Sequence, residues 1–103
     1  MAKDDARLLR LNSVATGLYE EVDKLAKKAP VDEISDLALK RINAVITEAK
    51  ELLKSDPFVA SIDVFVAAGE NPQYRDVLLI LREVRQGIKR GAEAREISAF
   101  RLN

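Results

Sequence analysis

The sequence predicts an all-α protein, folded as one compact helical bundle. Apolar residues recur three and four positions apart through four segments of the 103-residue chain, and this is the period of a helix with one buried face. The three prolines stand at the boundaries of these segments: Pro30, Pro57 and Pro72. Only one segment is rich in β-branched residues, so a strand there would have no partner. The length suits a single domain with one core.

The first helix is predicted from about Asp4 to Lys28. Its apolar residues fall on one stripe: Leu8, Leu11, Ala15, Leu18, Val22 and Leu25. Acidic residues open the segment and lysines close it, which matches the helix dipole. Gly17 lies within the stripe, where glycine costs about 1 kcal/mol relative to alanine. Either another helix approaches closely there or the helix breaks, and the unbroken apolar spacing favours one continuous helix.

The second helix is predicted over 31–54, directly after a proline. One apolar row comprises Ala38, Ile42, Val45, Ala49 and Leu52. A second row beside it comprises Leu39, Ile46 and Leu53. So wide an apolar face suits a helix that touches two neighbours. Because the connection is short, we expect the first two helices to form a long antiparallel pair.

A shorter third helix is predicted over 57–68. Asp56 is a good N-cap, Pro57 suits the first turn, and Gly69 suits the position after the end. Three apolar residues would share one face: Phe58, Ile62 and Phe65. The β-branched residues of this segment make a strand the alternative, which we disfavour because the chain offers no second strand.

A long fourth helix is predicted over 72–90, where Asn71 and the proline after it repeat the pairing of a cap with a proline. Its apolar residues at helical spacing are Tyr74, Val77, Leu81, Val84 and Ile88. Gly87 is a weak point inside this helix, and Gly91 is a candidate end. The tail, 92–103, is either a short fifth helix or a packed extension.

Five consecutive apolar residues in the fourth helix are the most informative feature of the sequence: Val77, Leu78, Leu79, Ile80 and Leu81. Consecutive residues of a helix point in different directions, so this stretch is apolar all round. Such a helix is either wrapped by the rest of the chain or part of a subunit interface. The alternative is one exposed leucine, Leu79. We predict a candidate interface at these five residues and a homodimer formed through them.

A candidate anion-binding stripe runs beside these apolar residues: Arg75, Arg82, Arg85 and Lys89. Residues 74–103 include seven basic and four acidic side chains. The stripe would bind phosphates or acidic groups. The alternative is a solvated flank or a set of ion pairs with a neighbouring helix. We favour this alternative, because a nucleic-acid surface usually has a larger basic excess and aromatic residues on which bases stack.

The composition excludes several kinds of site. The chain has no His and no Cys, so the commonest metal ligand and thiol chemistry are absent, and we predict no metal and no cofactor. The four glycines stand singly, so there is no glycine-rich phosphate loop. Carboxylates are the main remaining source of enzyme chemistry. The acidic clusters are more typical of a hydrated surface: Glu20, Glu21, Asp23, Asp32, Glu33 and Asp36.

The sequence also lacks the signals of membrane insertion and secretion. No apolar run approaches the roughly 20 residues that cross a bilayer, and the first residues contain no apolar signal-peptide region. We therefore predict a cytoplasmic protein. The 17 basic and 17 acidic residues give zero net charge, which argues against a general binder of polyanions.

Three functional hypotheses follow. The first is a non-enzymatic interaction or regulatory protein that acts as a homodimer and presents a helix face to a protein partner. The second is a nucleic-acid-associated regulator that uses the basic stripe, and salt-sensitive binding would distinguish it. The third is a carboxylate-dependent enzyme, which would need an enclosed carboxyl group with a raised pKa.

Overall fold

Two long antiparallel helices, α1 (Lys3–Lys28) and α4 (Tyr74–Ala94), form the largest helix contact of the protein. The computed structural model describes residues 3–66 and 69–97. At one end of the pair, Arg95 Nη1 lies 3.5 Å from a carboxylate oxygen of Asp5. At the other end, the Arg75 backbone N–H donates to the Pro30 carbonyl at 3.0 Å. The predicted all-α fold class is confirmed, since every regular element in the described ranges is a helix.

The third long helix, α2 (Asp36–Leu52), packs antiparallel to α1, as predicted. Arg7, near the start of α1, lies 3.5 Å from a carboxylate oxygen of Glu48 and 3.5 Å from one of Glu51, both near the end of α2. The wide apolar face of α2 contacts α1 and α4. The buried core lies between these three helices, and its largest fully buried side chains include Leu8, Ile42, Ile46, Leu81 and Ile88.

The start of α2 is later than predicted, at Asp36 instead of directly after the proline. Ser35 caps the helix, because its hydroxyl accepts a backbone N–H from the first turn at 3.2 Å. The residues before it pair with the loop before α4 instead of extending the helix. The backbone N–H of the buried Ile34, for example, donates to the Pro72 carbonyl at 3.0 Å.

Asn71 does not cap α4, although the sequence predicts that role. Its side-chain amide donates to the Ile34 carbonyl at 2.8 Å and to the Asp36 carboxylate at 2.7 Å. Its backbone N–H donates to the Glu33 carboxylate at 2.6 Å. The α4 helix begins after Gln73, whose side chain makes no capping bond. Asn71 therefore ties together the loops that precede α2 and α4.

The predicted helix over 57–68 is wrong beyond its first turn, because α3 comprises only Pro57–Ala60. Its predicted start is confirmed, since the Asp56 carboxylate accepts the N–H groups of Phe58 and Val59. Residues 62–66 leave regular secondary structure, and 67–68 lie outside the described residues. The β-branched residues that raised the strand alternative lower the helix propensity here.

The side chain of Asn43 in α2 holds the connection between α2 and α4. It supplies hydrogen-bond partners that a helix or a strand would otherwise supply to the backbone of this connection. The Phe65 N–H donates to Asn43 Oδ1 at 2.9 Å, and Asn43 Nδ2 donates to the Phe65 carbonyl at 2.8 Å. Both polar backbone groups of Phe65 are thereby satisfied without a strand partner. The connection between α2 and α4 is fastened to α2 at this point.

The α3 helix is also fastened to α4 by an ion pair. Arg90 of α4 donates from Nε to Asp56 Oδ2 at 2.9 Å and from Nη2 to Oδ1 at 3.2 Å. The guanidinium lies over the Phe58 ring, 5.2 Å from its centroid. The hydrogen bonds from Arg90, helped by the two backbone N–H groups at the cap, lower the pKa of the Asp56 carboxyl below its usual value.

We expect this carboxylate to make stability pH-dependent. A carboxyl whose pKa is lower in the folded state stabilises the fold above its unfolded pKa of 3.8, and that contribution is lost as the pH falls through the folded value. Asp56→Asn removes the charge, so the variant should be less stable than wild type at about pH 7, and the difference should shrink at about pH 3. Urea unfolding at both values measures this. An equal difference at both would show that the charge on Asp56 contributes nothing.

The α4 helix passes through both of its glycines, contrary to the predicted weak point at Gly87 and end at Gly91. A Cβ on Gly87 would collide with a methyl group of Val59, and a Cβ on Gly91 would collide with one of Leu53. The missing side chains therefore let the α2–α4 connection lie against α4. At Gly17 the opposite holds: a Cβ would meet nothing within 4 Å, so close helix approach does not explain that residue, and α1 is one continuous helix as predicted.

The end of α4 is a Schellman motif that the sequence does not signal with a glycine. The Glu96 N–H donates to the Glu93 carbonyl at 3.1 Å, and the Ile97 N–H donates to the Ala92 carbonyl at 3.0 Å. Glu96 has a φ of 56°, in the left-handed region. Ile97 is buried against the core, so the first part of the tail is a packed extension of α4. Residues 98–103 lie outside the described residues.

Candidate anion-binding groove between α1 and α4

A groove of about 970 Å³ runs between α1 and α4 on the outer side of the bundle. We call it the α1–α4 groove. Its α4 wall presents long cationic and amide side chains, and its α1 wall is mostly polar. The lining residues are Asn12, Ser13, Thr16, Gly17, Tyr19 and Glu20 from α1, with Arg82, Arg85, Gln86 and Lys89 from α4.

Helical spacing explains why these side chains meet. The buried residues of α4 include Leu81, Val84 and Ile88, and the groove cations occupy the positions beside that stripe. On α1, the groove residues Asn12 and Thr16 lie one turn apart beside the buried stripe. The antiparallel pairing of the two helices then brings the two polar flanks to opposite sides of one groove.

Three members of the predicted anion-binding stripe line the groove, and one does not. Arg82, Arg85 and Lys89 are together on its α4 wall. Arg75 is not among the lining residues, and its Nε donates to the Gln73 side-chain oxygen at 3.0 Å. The stripe therefore divides. At Arg75 the start of α4 lies beside the loop that precedes α2, since the Arg75 backbone N–H donates to the Pro30 carbonyl.

Arg85 is held by an aromatic residue that the sequence analysis missed. Its guanidinium carbon lies 4.6 Å from the centroid of the Tyr19 ring. A cation over a ring face at this distance is stabilised by about 0.5–2 kcal/mol. Tyr19 lies four residues after Ala15 and three before Val22, both buried, and that spacing is the signal that could have placed it against α4.

The groove has more positive than negative charge. Its three cations face one lining carboxylate, Glu20, so the net charge is three minus one, or two positive charges. Among the ion pairs of the described residues, none includes Arg82, Arg85 or Lys89. In the described part of the chain, these cations therefore do not form the ion pairs with a neighbouring helix that the alternative predicted.

The five-residue apolar stretch of α4 divides between core and surface. Val77 and Leu81 are fully buried, whereas Leu78 and Ile80 are half-buried. Leu79 is 51% exposed. The helix is not wrapped by the chain, since Arg82, Glu83 and Gln86 are exposed on its outer face. Leu79 is thus available for an interface, and it lies one turn from Arg82 at the edge of the groove.

The described residues give no support for a metal site, a buried polar site or a membrane-spanning helix. No three acidic side chains there gather into a cluster that could hold a metal ion. No polar or charged residue of those ranges is buried. None of the described helices is long and apolar enough to cross a membrane.

Comparisons with models of protein families, with curated proteins and with solved structures find no match to this chain. What the groove can do therefore follows from its own residues. Guanidinium groups form paired hydrogen bonds with carboxylate and phosphate oxygens, and a lysine adds a point charge. The hydroxyl and amide groups of the α1 wall can hydrogen-bond the same ligand.

Proposed function

We propose that this chain is a non-enzymatic, cytoplasmic interaction protein that binds an acidic segment of a partner protein in the α1–α4 groove. One observation carries the proposal: three cations line one groove, and none has an ion-pair partner among the described residues. An acidic segment would supply the carboxylates that these cations lack. Such complementary charge favours both the correct partner and fast association.

An acidic protein segment fits the groove better than a nucleic acid does. A nucleic-acid surface needs cations at many successive phosphates, and the groove has only three, accompanied by Glu20. Its aromatic residue, Tyr19, has a face covered by Arg85 and so offers little for base stacking. The stripe that suggested nucleic acid also loses Arg75.

The test is direct binding of a labelled oligoglutamate peptide, followed by fluorescence anisotropy at low salt. The double variant Arg82→Glu/Lys89→Glu should weaken binding about 30-fold, which corresponds to about 2 kcal/mol. The matched control, Arg41→Glu/Lys54→Glu, makes the same charge change at exposed residues that do not line the groove, and should retain most of the affinity. Added salt should weaken wild-type binding.

Two outcomes would contradict the proposal. The first is no saturable binding of the peptide by wild type. The second is an equal loss in the groove variant and in the control, which would show that only the overall charge matters. Tighter binding of a DNA or RNA oligonucleotide than of the peptide would favour the nucleic-acid hypothesis instead.

The proposed homodimer has a separate test at Leu79. If the exposed leucine lies in a subunit interface, Leu79→Glu should lower the mass measured by light scattering over a concentration series, because a buried charge without a partner is unfavourable. The matched control is Val14→Glu, since Val14 is similarly exposed at 53% and lies on α1. Circular dichroism should show both variants folded. An unchanged mass in the leucine variant would contradict a dimer through this helix.

A further inference from the structure

The net charge of the α1–α4 groove points to a ligand group with more than one negative charge. The three cations and Glu20 leave two positive charges. A single carboxylate neutralises one of them, whereas a phosphorylated serine or threonine carries about −1.5 to −2 at pH 7. A phosphodiester of nucleic acid carries only one charge, so it matches the groove less well.

The α1 wall supplies hydrogen-bonding groups opposite the cations. Neither the Thr16 hydroxyl nor the Asn12 side-chain amide forms a side-chain hydrogen bond with the described residues. Both are half-buried, so a ligand that met them would replace water, and no protein partner among the described residues, as their hydrogen-bond partner. A phosphomonoester has three acceptor oxygens, which suits two arginines on one side and hydroxyl or amide donors on the other.

Arg85 is the residue best prepared for such a ligand. Its guanidinium carbon lies 4.6 Å from the centroid of the Tyr19 ring, which favours this position of the side chain, and a guanidinium can donate paired hydrogen bonds to an anion. Lys89 lies one turn beyond Arg85, and Arg82 lies nearly one turn before it.

We propose that the α1–α4 groove recognises a phosphorylated serine or threonine within the acidic partner segment. This inference rests on the proposed function and specifies its ligand. The groove, at about 970 Å³, is much larger than one phosphate and has room for the chain on either side of the modified residue.

The test uses three labelled peptides of one sequence, with a central serine, glutamate or phosphoserine between flanking glutamates. The phosphoserine peptide should bind wild type about tenfold more tightly than the glutamate peptide. Arg85→Lys keeps the charge but loses the paired bonds, so it should weaken binding of the phosphoserine peptide more than binding of the glutamate peptide and thereby reduce this preference. The control Arg41→Lys should keep the preference, since Arg41 does not line the groove.

The outcomes separate this inference from the proposed function. Equal binding of the phosphoserine and glutamate peptides would overturn the inference while leaving an acidic-segment site. Failure of both peptides to bind would overturn both proposals. Inorganic phosphate that competes as strongly as the phosphopeptide would overturn the inference by indicating a small-anion site, and tighter binding of an oligonucleotide would overturn it in favour of nucleic acid.

Discussion

Gly87→Ala should destabilise the fold by about 2 kcal/mol, although alanine is the better helix former by about 1 kcal/mol. The new methyl group would occupy the place of a Val59 methyl, which packs on α4 at this point. Val59 is fully buried and β-branched, so it has few other rotamers available. Either the α3 region moves away from α4 or the core is strained.

The same substitution at the other two helical glycines provides graded controls. Gly17→Ala should stabilise the fold by about 0.5–1 kcal/mol, because its Cβ meets nothing within 4 Å. Gly91→Ala should cost less than Gly87→Ala, since the atom that it meets is the end of the Leu53 side chain, which has more rotamer freedom. Urea unfolding of the three variants measures the order. A stabilising Gly87→Ala would contradict the packing of the connection against α4.

Asn43→Ala should destabilise the protein by about 2–3 kcal/mol. The variant loses two hydrogen bonds and leaves the N–H and carbonyl of the half-buried Phe65 without their partners. Asn43→Asp keeps the acceptor for the Phe65 N–H but places a negative charge beside the carbonyl, so it should be destabilised too.

The matched control for this position is Asn12→Ala. Asn12 is also a half-buried asparagine within a long helix, but its side chain has no hydrogen bond to the described residues. We expect its stability to change by less than about 0.5 kcal/mol. Urea unfolding compares the two. Equal effects would mean that the bonds between Asn43 and Phe65 do not hold the connection.

The features predicted correctly are those that nearby residues determine. The stripe of α1, apart from the exposed Leu25, and the Asp56 cap before Pro57 depend on spacing or on residues in direct succession. The errors arise where distant residues compete. Asn43 and Phe65 are 22 positions apart, and nothing in the sequence near either residue signals their pairing.

The glycines of α4 show the same limit. From the sequence, Gly87 is predicted to weaken α4 and Gly91 to end it. In the fold, they are the places where Val59 and Leu53 contact the helix. The true end of α4 uses Glu96 in a left-handed conformation, which a sequence rule based on glycine does not find.

The candidate site was predicted only in part, because two helices that are distant in sequence form it. Three of the four stripe cations share a flank of one helix, and helical spacing is enough to group them. The opposite wall comes from α1, so the groove itself could be predicted only with knowledge that α1 packs mainly on α4. Arg75 does not line the groove as predicted, because the loops before α2 and α4, and not α1, lie beside it.

Binding of an acidic partner segment in the α1–α4 groove can be observed residue by residue. Amide NMR spectra of the isotope-labelled protein, recorded during titration with the phosphoserine peptide, test it most directly. We expect saturable shifts concentrated at residues 12–20 and 82–89, and their loss in Arg82→Glu/Lys89→Glu. Saturable shifts centred elsewhere, or no shifts at all, would contradict it.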